Sequence, residues 1–198
     1  MPRNYHDDDS YVETAVVEYH GTKAVKKHWS NTNCLRIEYD IGMTLNTLNL
    51  PNFVRMLAWN EDEPALIEQY VGDISFETFA LTQLRDLPSY YRLVMQIYLA
   101  LLVAQEQLGF CHGDLHLGNI HVIPTNVEYL EYTYQKELYR VETHGYLAVI
   151  IDFDQSRLGV DKNDDLWHLL DFCSRDLLAQ YTARNSENEF LDILCTLI

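Results

Sequence analysis

Basic residues are scarce in this chain. Its 198 residues hold 14 Lys and Arg against 30 Asp and Glu, a formal charge of −16. So acidic a balance argues against nucleic acid and anionic membrane as partners and favours a basic protein segment, although solubility alone accounts for most of the charge. Cysteines are few as well. Cys34, Cys111, Cys173 and Cys195 are scattered and form no C-x-x-C pair. That argues against a disulfide framework and for buried thiols in a reducing compartment, the cytoplasm or nucleus. The opening MPRNYHDDDSY lacks the apolar stretch of a secretory signal. No apolar run reaches the ~20 residues that a membrane-spanning helix needs. Against these shortages stands a hydrophobic content of 47%, enough for one core or two small lobes that share one.

The hydrophobic pattern divides the chain near Gly72, into a strand-rich segment 1–72 and a helix-rich segment 73–198. ETAVVEYHGTKAVKKHW reads as a hairpin turning at His20-Gly21-Thr22. In NTNCLRIEYDIGMTLNTLN, Asn33 can cap a helix on which Leu35, Ile41, Leu45 and Leu48 recur at helical spacing. FVRMLAWN and PALIEQYV suggest a second hairpin around an acidic turn, and SFETFALTQLRD a short helix. PSYYRLVMQIYLALLVAQEQLG is the clearest helix, with Pro88 in its first turn and Gly109 at its end. It is apolar around much of its circumference and should be a buried spine. NIHVI reads as a short strand, the Tyr-rich stretch from Tyr129 to Tyr139 as a β-ribbon, and YLAVIIDFD as a central strand. Two further helices follow, in NDDLWHLLDFCSRDLLAQY and NSENEFLDILCTLI.

Between the spine helix and the NIHVI strand lies CHGDLHLGNIHV, a loop held at both ends, where functional residues are commonly placed. Asp114 offers a base. Asn119, and Asp152 at the carboxyl end of its strand, offer two oxygen ligands of the kind that suit Mg²⁺. Phosphoryl transfer asks for these parts: one carboxylate to orient a hydroxyl, and a carboxylate with a carboxamide to hold metal against phosphates. It also asks for a cation. Leu35, Glu38, Ile41 and Leu45 share one helix face, so Glu38 points inward with the apolar stripe and needs a partner. Lys26 on the adjacent strand is the natural one, and Lys23 and Lys27 compete with it because alternation does not separate the three. Three His at 112, 116 and 121 do not match a zinc-binding spacing.

HGDLHLGN together with IDFD resembles the protein-kinase-like superfamily, in which the loop reads H-x-D-x-x-x-x-N and the metal Asp opens D-F-G. Within it the chain is most like the haspin-type atypical Ser/Thr kinases, which share the loop style, a long β insertion before the metal Asp, and a residue other than Gly two places after it. The resemblance implies an α+β, bilobal protein-kinase-like fold with a reduced N-lobe and a truncated C-lobe. It implies ATP and Mg²⁺ as cofactors and a basic, histone-like protein substrate. By position, Asp114 would be the catalytic base, Asn119 and Asp152 the metal ligands, Lys26 the phosphate lysine and Glu38 its helix partner. His112 would be the structural histidine of the loop and Asp165 the aspartate that braces its backbone. Gln69-Tyr70-Val71-Gly72 resembles the hinge that reads adenine, with Gln69, Tyr70 and Gly72 as its contacts. A compact member of this kind would fit a large DNA virus.

The departures from the pattern matter. Gly113 stands in place of the usual Arg, so no loop guanidinium awaits neutralisation by a phosphorylated segment. His116 stands where many protein kinases place Lys. No glycine-rich loop precedes Lys26, since Gly21 is the one glycine among the first 25 residues. Two other functions therefore stand beside the protein kinase: a small-molecule phosphotransferase, whose loop style HGDLHxGN is the same, and a kinase mimic that binds a partner protein without chemistry.

Overall fold

The computed structural model of the protein describes residues 12–83, 86–161, 164–166, 168 and 169. A four-stranded antiparallel sheet comes first. β1 (Val12–Tyr19) and β2 (Thr22–Trp29) form the predicted hairpin. Its turn, His20-Gly21, has φ of 48° and 79°, the paired left-handed geometry that suits a two-residue hairpin. β3 (Met56–Asn60) and β4 (Ala65–Gln69) form the second hairpin, and the sheet order is β1-β2-β4-β3. In its acidic turn, Asn60 Oδ1 accepts from the N–H groups of Asp62 and Glu63.

Helix α1 (Thr32–Asn46) packs on this sheet and buries Leu35, Glu38, Ile41, Gly42 and Leu45. The expected stripe is therefore the buried face, Glu38 included. Its cap differs from the expectation. Asn31, not Asn33, accepts from the Cys34 N–H, because the chain leaves β2 at Trp29 and turns at once into the helix. Gly42 lets the helix approach the sheet, since a Cβ there would lie 2.3 Å from the Met56 side chain.

After β4, α2 (Phe76–Thr82) is capped by Ser75 and α3 (Leu87–Leu108) by Asp86, whose carboxylate accepts from the Ser89 N–H. α3 ends at Gly109, left-handed at φ 59°. A Cβ at Gly109 would lie 2.8 Å from the Val160 backbone nitrogen, so this glycine is required by close approach as well as by φ. The core runs along α3, where Leu93, Ile97, Ala100, Leu101 and Ala104 are at most 1% exposed. β5 (Ile120–Pro124) pairs antiparallel with β8 (Tyr146–Ile150). The segment between them forms the ribbon β6 (Tyr129–Tyr134) and β7 (Glu137–Glu142), which packs on α3.

One buried residue ties these parts together. Asn52, 0% exposed, donates from Nδ2 to the Ala148 carbonyl and accepts at Oδ1 from the Tyr132 hydroxyl. Around it, Ile150 N–H donates to Asn52 O and Val54 N–H to Ile150 O. The connection from α1 to β3 is thus sewn to the strand that ends at Asp152. Cys111 is buried and Cys34 half-buried, whereas Cys173, Cys195 and the two final predicted helices lie largely or wholly outside the described residues. Among the described residues no helix is long and apolar enough to cross a membrane.

Candidate active site

The β5–β8 pairing builds the site. Ile120 stands opposite Ile150, and Ile151 N–H donates to the Asn119 carbonyl at 2.9 Å. Asn119, entering β5, and Asp152, leaving β8, therefore end at the same edge. Asn119 closes a 3₁₀ turn, Leu117–Asn119, and its Nδ2 donates to Asp114 O at 3.0 Å. A carbonyl can only accept, so the amide orientation is settled and Oδ1 is left to face a cation. Asp152 lies in the left-handed region at φ 69°, a conformation costly for a residue with a Cβ. Its side chain keeps 40% exposure. Asp114 presents a carboxylate with 56% side-chain exposure. One carboxylate, one carboxamide and room for phosphate oxygens and water fit Mg²⁺, which seldom has an all-protein cage.

The loop that carries Asp114 is held from behind. Asp165, 2% exposed, accepts from the N–H groups of His112 at 2.6 Å and Gly113 at 3.2 Å. His112 is fully buried, bonds Ile151 O through Nε2 and accepts at Nδ1 from the Asp114 N–H. Since the carbonyl accepts and the N–H donates, His112 is the neutral Nε2–H tautomer, and burial holds its pKa below the ordinary value. His116 caps the 3₁₀ turn, accepting at Nδ1 from Gly118 N–H at 3.1 Å, and its Nε2 stands 3.9 Å from Asp114 Oδ2. Gly118 leaves space for that ring, since a Cβ would lie 2.8 Å from it. Gly113, at φ 81°, leaves space for the segment beyond Asp152: a Cβ there would lie 2.6 Å from Gln155 O.

The lysine that pairs with Glu38 is Lys27, and this corrects the choice of Lys26 as its partner. Lys27 Nζ lies 2.7 Å from Glu38 Oε1 and 3.2 Å from Asp152 Oδ1. Lys26 points to the other face of β2 and pairs at 2.7 Å with the exposed Glu63. In the sheet Lys27 stands opposite Leu66, which is wholly buried, whereas Lys26 stands opposite the half-buried Ile67. Strand parity decides between them.

Two further residues belong to the site. Glu68, 4% exposed, sits two places after Leu66 on the same face of β4 and reaches Lys27 at 3.5 Å. Burial pushes its pKa up to about 7, with Lys27 opposing and Glu38 adding to the rise. Glu38 is likewise raised by burial, against the pull of Lys27. Burial works against the Lys27 ammonium, but Glu68, Glu38 and Asp152 outweigh it and hold its proton above the ordinary lysine range. Lys27 is thus hydrogen-bonded to Glu38, and Glu68 is the carboxyl that burial brings close to neutrality. Asp154, the second acid of DFD, is raised by burial and then by Asp152.

The segment likened to a hinge, Gln69 to Gly72, leaves the end of β4. Gln69 N–H donates to Arg55 O, and Gly72 O is bonded by His121 Nδ1 at 2.8 Å. Tyr70 is held at its hydroxyl by Asp73 and under the Lys23 ammonium.

A model of the phosphotransferase enzyme family matches residues 2–128, more than half of the chain. The chain belongs to that family. Over 104 residues it is 34% identical to the mouse serine/threonine-protein kinase haspin, across 52% of this chain and 14% of that protein. Over 123 residues it is 29% identical to "Probable kinase 098L" of Invertebrate iridescent virus 3, across 60% of this chain and 23% of that one. The matches thus span less than a quarter of these relatives. The fold resembles that in a crystal structure of the Rad53 kinase domain and SCD2, with a TM-score of 0.50 and 19% identity over 74% of this chain and 49% of that one. The α+β fold of this family member is accordingly protein-kinase-like, with haspins among its relatives.

Proposed function

We propose that the chain is an ATP- and Mg²⁺-dependent protein kinase that transfers the γ-phosphate to a Ser or Thr hydroxyl of a basic protein segment. The observation that carries this reading is Lys27, which bonds Glu38 on α1 and Asp152 at the end of β8 at once, with Asn119 across the strand pair. Lys27 would hold phosphate oxygens, and Asn119 and Asp152 would hold the metal. When bound, Mg²⁺ would offset the phosphate charge and align the γ-phosphate. Asp114 would orient the acceptor hydroxyl and receive its proton, the usual task of a carboxylate so placed. The Tyr70–Val71 backbone would meet the adenine. The likeness to haspin supports a protein acceptor, and the charge of −16 supports a basic one.

The family model favours a second reading, transfer to a small hydroxylated or amino compound, because the matched family is defined by phosphotransfer and not by protein acceptors. One experiment separates the readings. Nucleotide binding is measured by calorimetry with and without Mg²⁺, and labelled phosphate transfer is then followed to a basic protein mixture and to a panel of aminoglycosides and choline. Label in protein alone supports the kinase, and label in the small compounds alone supports the second reading. Absence of Mg²⁺-dependent nucleotide binding would leave the chain a mimic.

A further inference from the structure

Lys27 is surrounded by more negative charge than one ammonium neutralises. Glu38, Asp152 and Glu68 lie 2.7, 3.2 and 3.5 Å from Nζ. One cation against three anions leaves −2, and two of the anions, Glu38 and Glu68, are at most 4% exposed. Of the three, Glu68 is the most weakly held. Its Oε1 stands at the longest distance, and its Oε2 is buried without a hydrogen-bond partner among the described residues. An ionised oxygen in that position is costly, whereas a protonated one is tolerable. The charged groups that face Glu68 are Lys27 from β2, Glu38 from α1 and Asp152 beyond β8, and its neighbours in the sheet, Val25 and Met56, are apolar. Family resemblance assigns Glu68 no task, and an amphipathic strand does not call for a buried acid there.

We infer that Glu68 is a positioning residue for the nucleotide: a second carboxyl partner of Lys27 that takes up a proton when incoming phosphates draw on the ammonium. This rests on the kinase reading of the site. In the structure Lys27 is shared between Glu38 and Glu68. Phosphate oxygens compete for the same Nζ hydrogens, and Glu38, at 2.7 Å, keeps its bond. Glu68 then loses the attraction that favours its charged form, and a solvent proton binds its carboxylate. The lysine is released to the phosphates without a bare carboxylate remaining in the core. Because Glu68 stands near half-protonation at neutral pH before nucleotide binds, binding at pH 7 should draw in about half a proton.

The test is titration calorimetry of the whole chain with MgADP at pH 7 in buffers of differing ionisation enthalpy, comparing the parent with Glu68→Gln. The buffer slope counts protons, and the difference between the two proteins removes the contribution of the nucleotide's own phosphates. The parent should take up about half a proton more than the variant. Above pH 7 its affinity should weaken toward about tenfold per pH unit, while the variant stays flatter. Equal slopes in two proteins that both bind MgADP would overturn the role of Glu68 and leave the kinase reading intact. No binding by either would overturn both. A nucleotide-free arm checks the variant's fold. Parent stability should fall as pH rises from about 4.5 toward about 7, because the folded carboxyl keeps a proton that the unfolded one has released. Glu68→Gln should melt cooperatively and lack that component, and identical pH profiles would again overturn the proposal.

Discussion

Replacing Lys27 by Met should do two things that replacing Lys26 by Met does not. The Lys27 ammonium is the cation that faces Glu38 and Glu68, and its side chain is 9% exposed. Met has nearly the same length, so packing is preserved while the charge is lost. Removing one partner of a buried ion pair costs about 3–5 kcal/mol, since the other charge remains buried. For a chain of this size each kcal/mol lowers the melting temperature by about 2–4 °C, so the fall should be on the order of 10 °C. The loss should depend on pH with a definite sign. Burial already raises Glu38 and Glu68, and without the lysine both rise further. A carboxyl raised in the folded state disfavours folding as pH climbs from the unfolded value through the folded one, so the deficit should be larger at pH 8 than at pH 6. Adding Glu38→Gln and Glu68→Gln to Lys27→Met should recover much of the stability. Lys26→Met, at an exposed pair with Glu63, should leave the melting temperature almost unchanged. Scanning calorimetry at the two pH values and MgADP titration of each variant measure all of this. A Lys27→Met protein that melts with the parent and binds nucleotide, beside a Lys26→Met protein that does not bind, would refute the assignment.

Asp152→Ala should abolish the Mg²⁺-dependent part of nucleotide binding, as seen by calorimetry, and because its side chain is 40% exposed the fold should survive. Asp114→Asn should keep nucleotide affinity and slow single-turnover transfer by ~10²–10⁴-fold, the usual worth of a positioned base. Gly113→Ala, at φ 81° and with its Cβ 2.6 Å from Gln155 O, should destabilise the protein by about 1–3 kcal/mol and lower its melting temperature. Phosphatase treatment should leave activity intact, because Ser156, the hydroxyl residue that follows Asp152, is 5% exposed and donates to His112 O, and a loss of activity on treatment would contradict this.

Much of the site was legible because its parts are close in sequence or lie on a strongly periodic element. Asp114 and Asn119 are five residues apart in a loop clamped by a helix and a strand. The i, i+3, i+4 spacing of α1 was enough to turn Glu38 inward. Lys27 was illegible because KAVKK places two apolar and then two basic residues together, so the period of two that assigns strand faces is broken. Its parity follows from the pairing with Leu66, a contact 39 residues away in sequence, from Lys27 to Leu66. Glu68 was missed for a related reason. In ALIEQ an acid after three apolar residues reads as the solvent-facing member of the strand, and only the α1 helix lying over that face makes it buried. The one available signal was the inward Glu38, because two acids and a lysine on neighbouring elements are a common way to hold a buried cation. Asn52, directly after Pro51, reads as a turn former, although its amide joins the ribbon to the strand that ends at Asp152.

The electrostatics of the assembled site give a reason for metal dependence that does not rely on family likeness. A nucleotide brings several negative charges. Around the proposed phosphate site stand Lys27 and the acids Glu38, Glu68, Asp152, Asp154 and Asp114, and burial, with neighbouring acids adding to it, raises Glu38, Glu68 and Asp154. A single ammonium already shared among three carboxylates cannot offset the added charge. A divalent cation at Asn119 and Asp152 would change the sign of the balance where the phosphates must lie. Protonation of Glu68 would remove one negative charge behind Lys27. Both changes act in the same direction, so nucleotide affinity should strengthen with Mg²⁺ and with modest acidification, and the two effects should reinforce each other because each leaves more of the Lys27 charge for the phosphates.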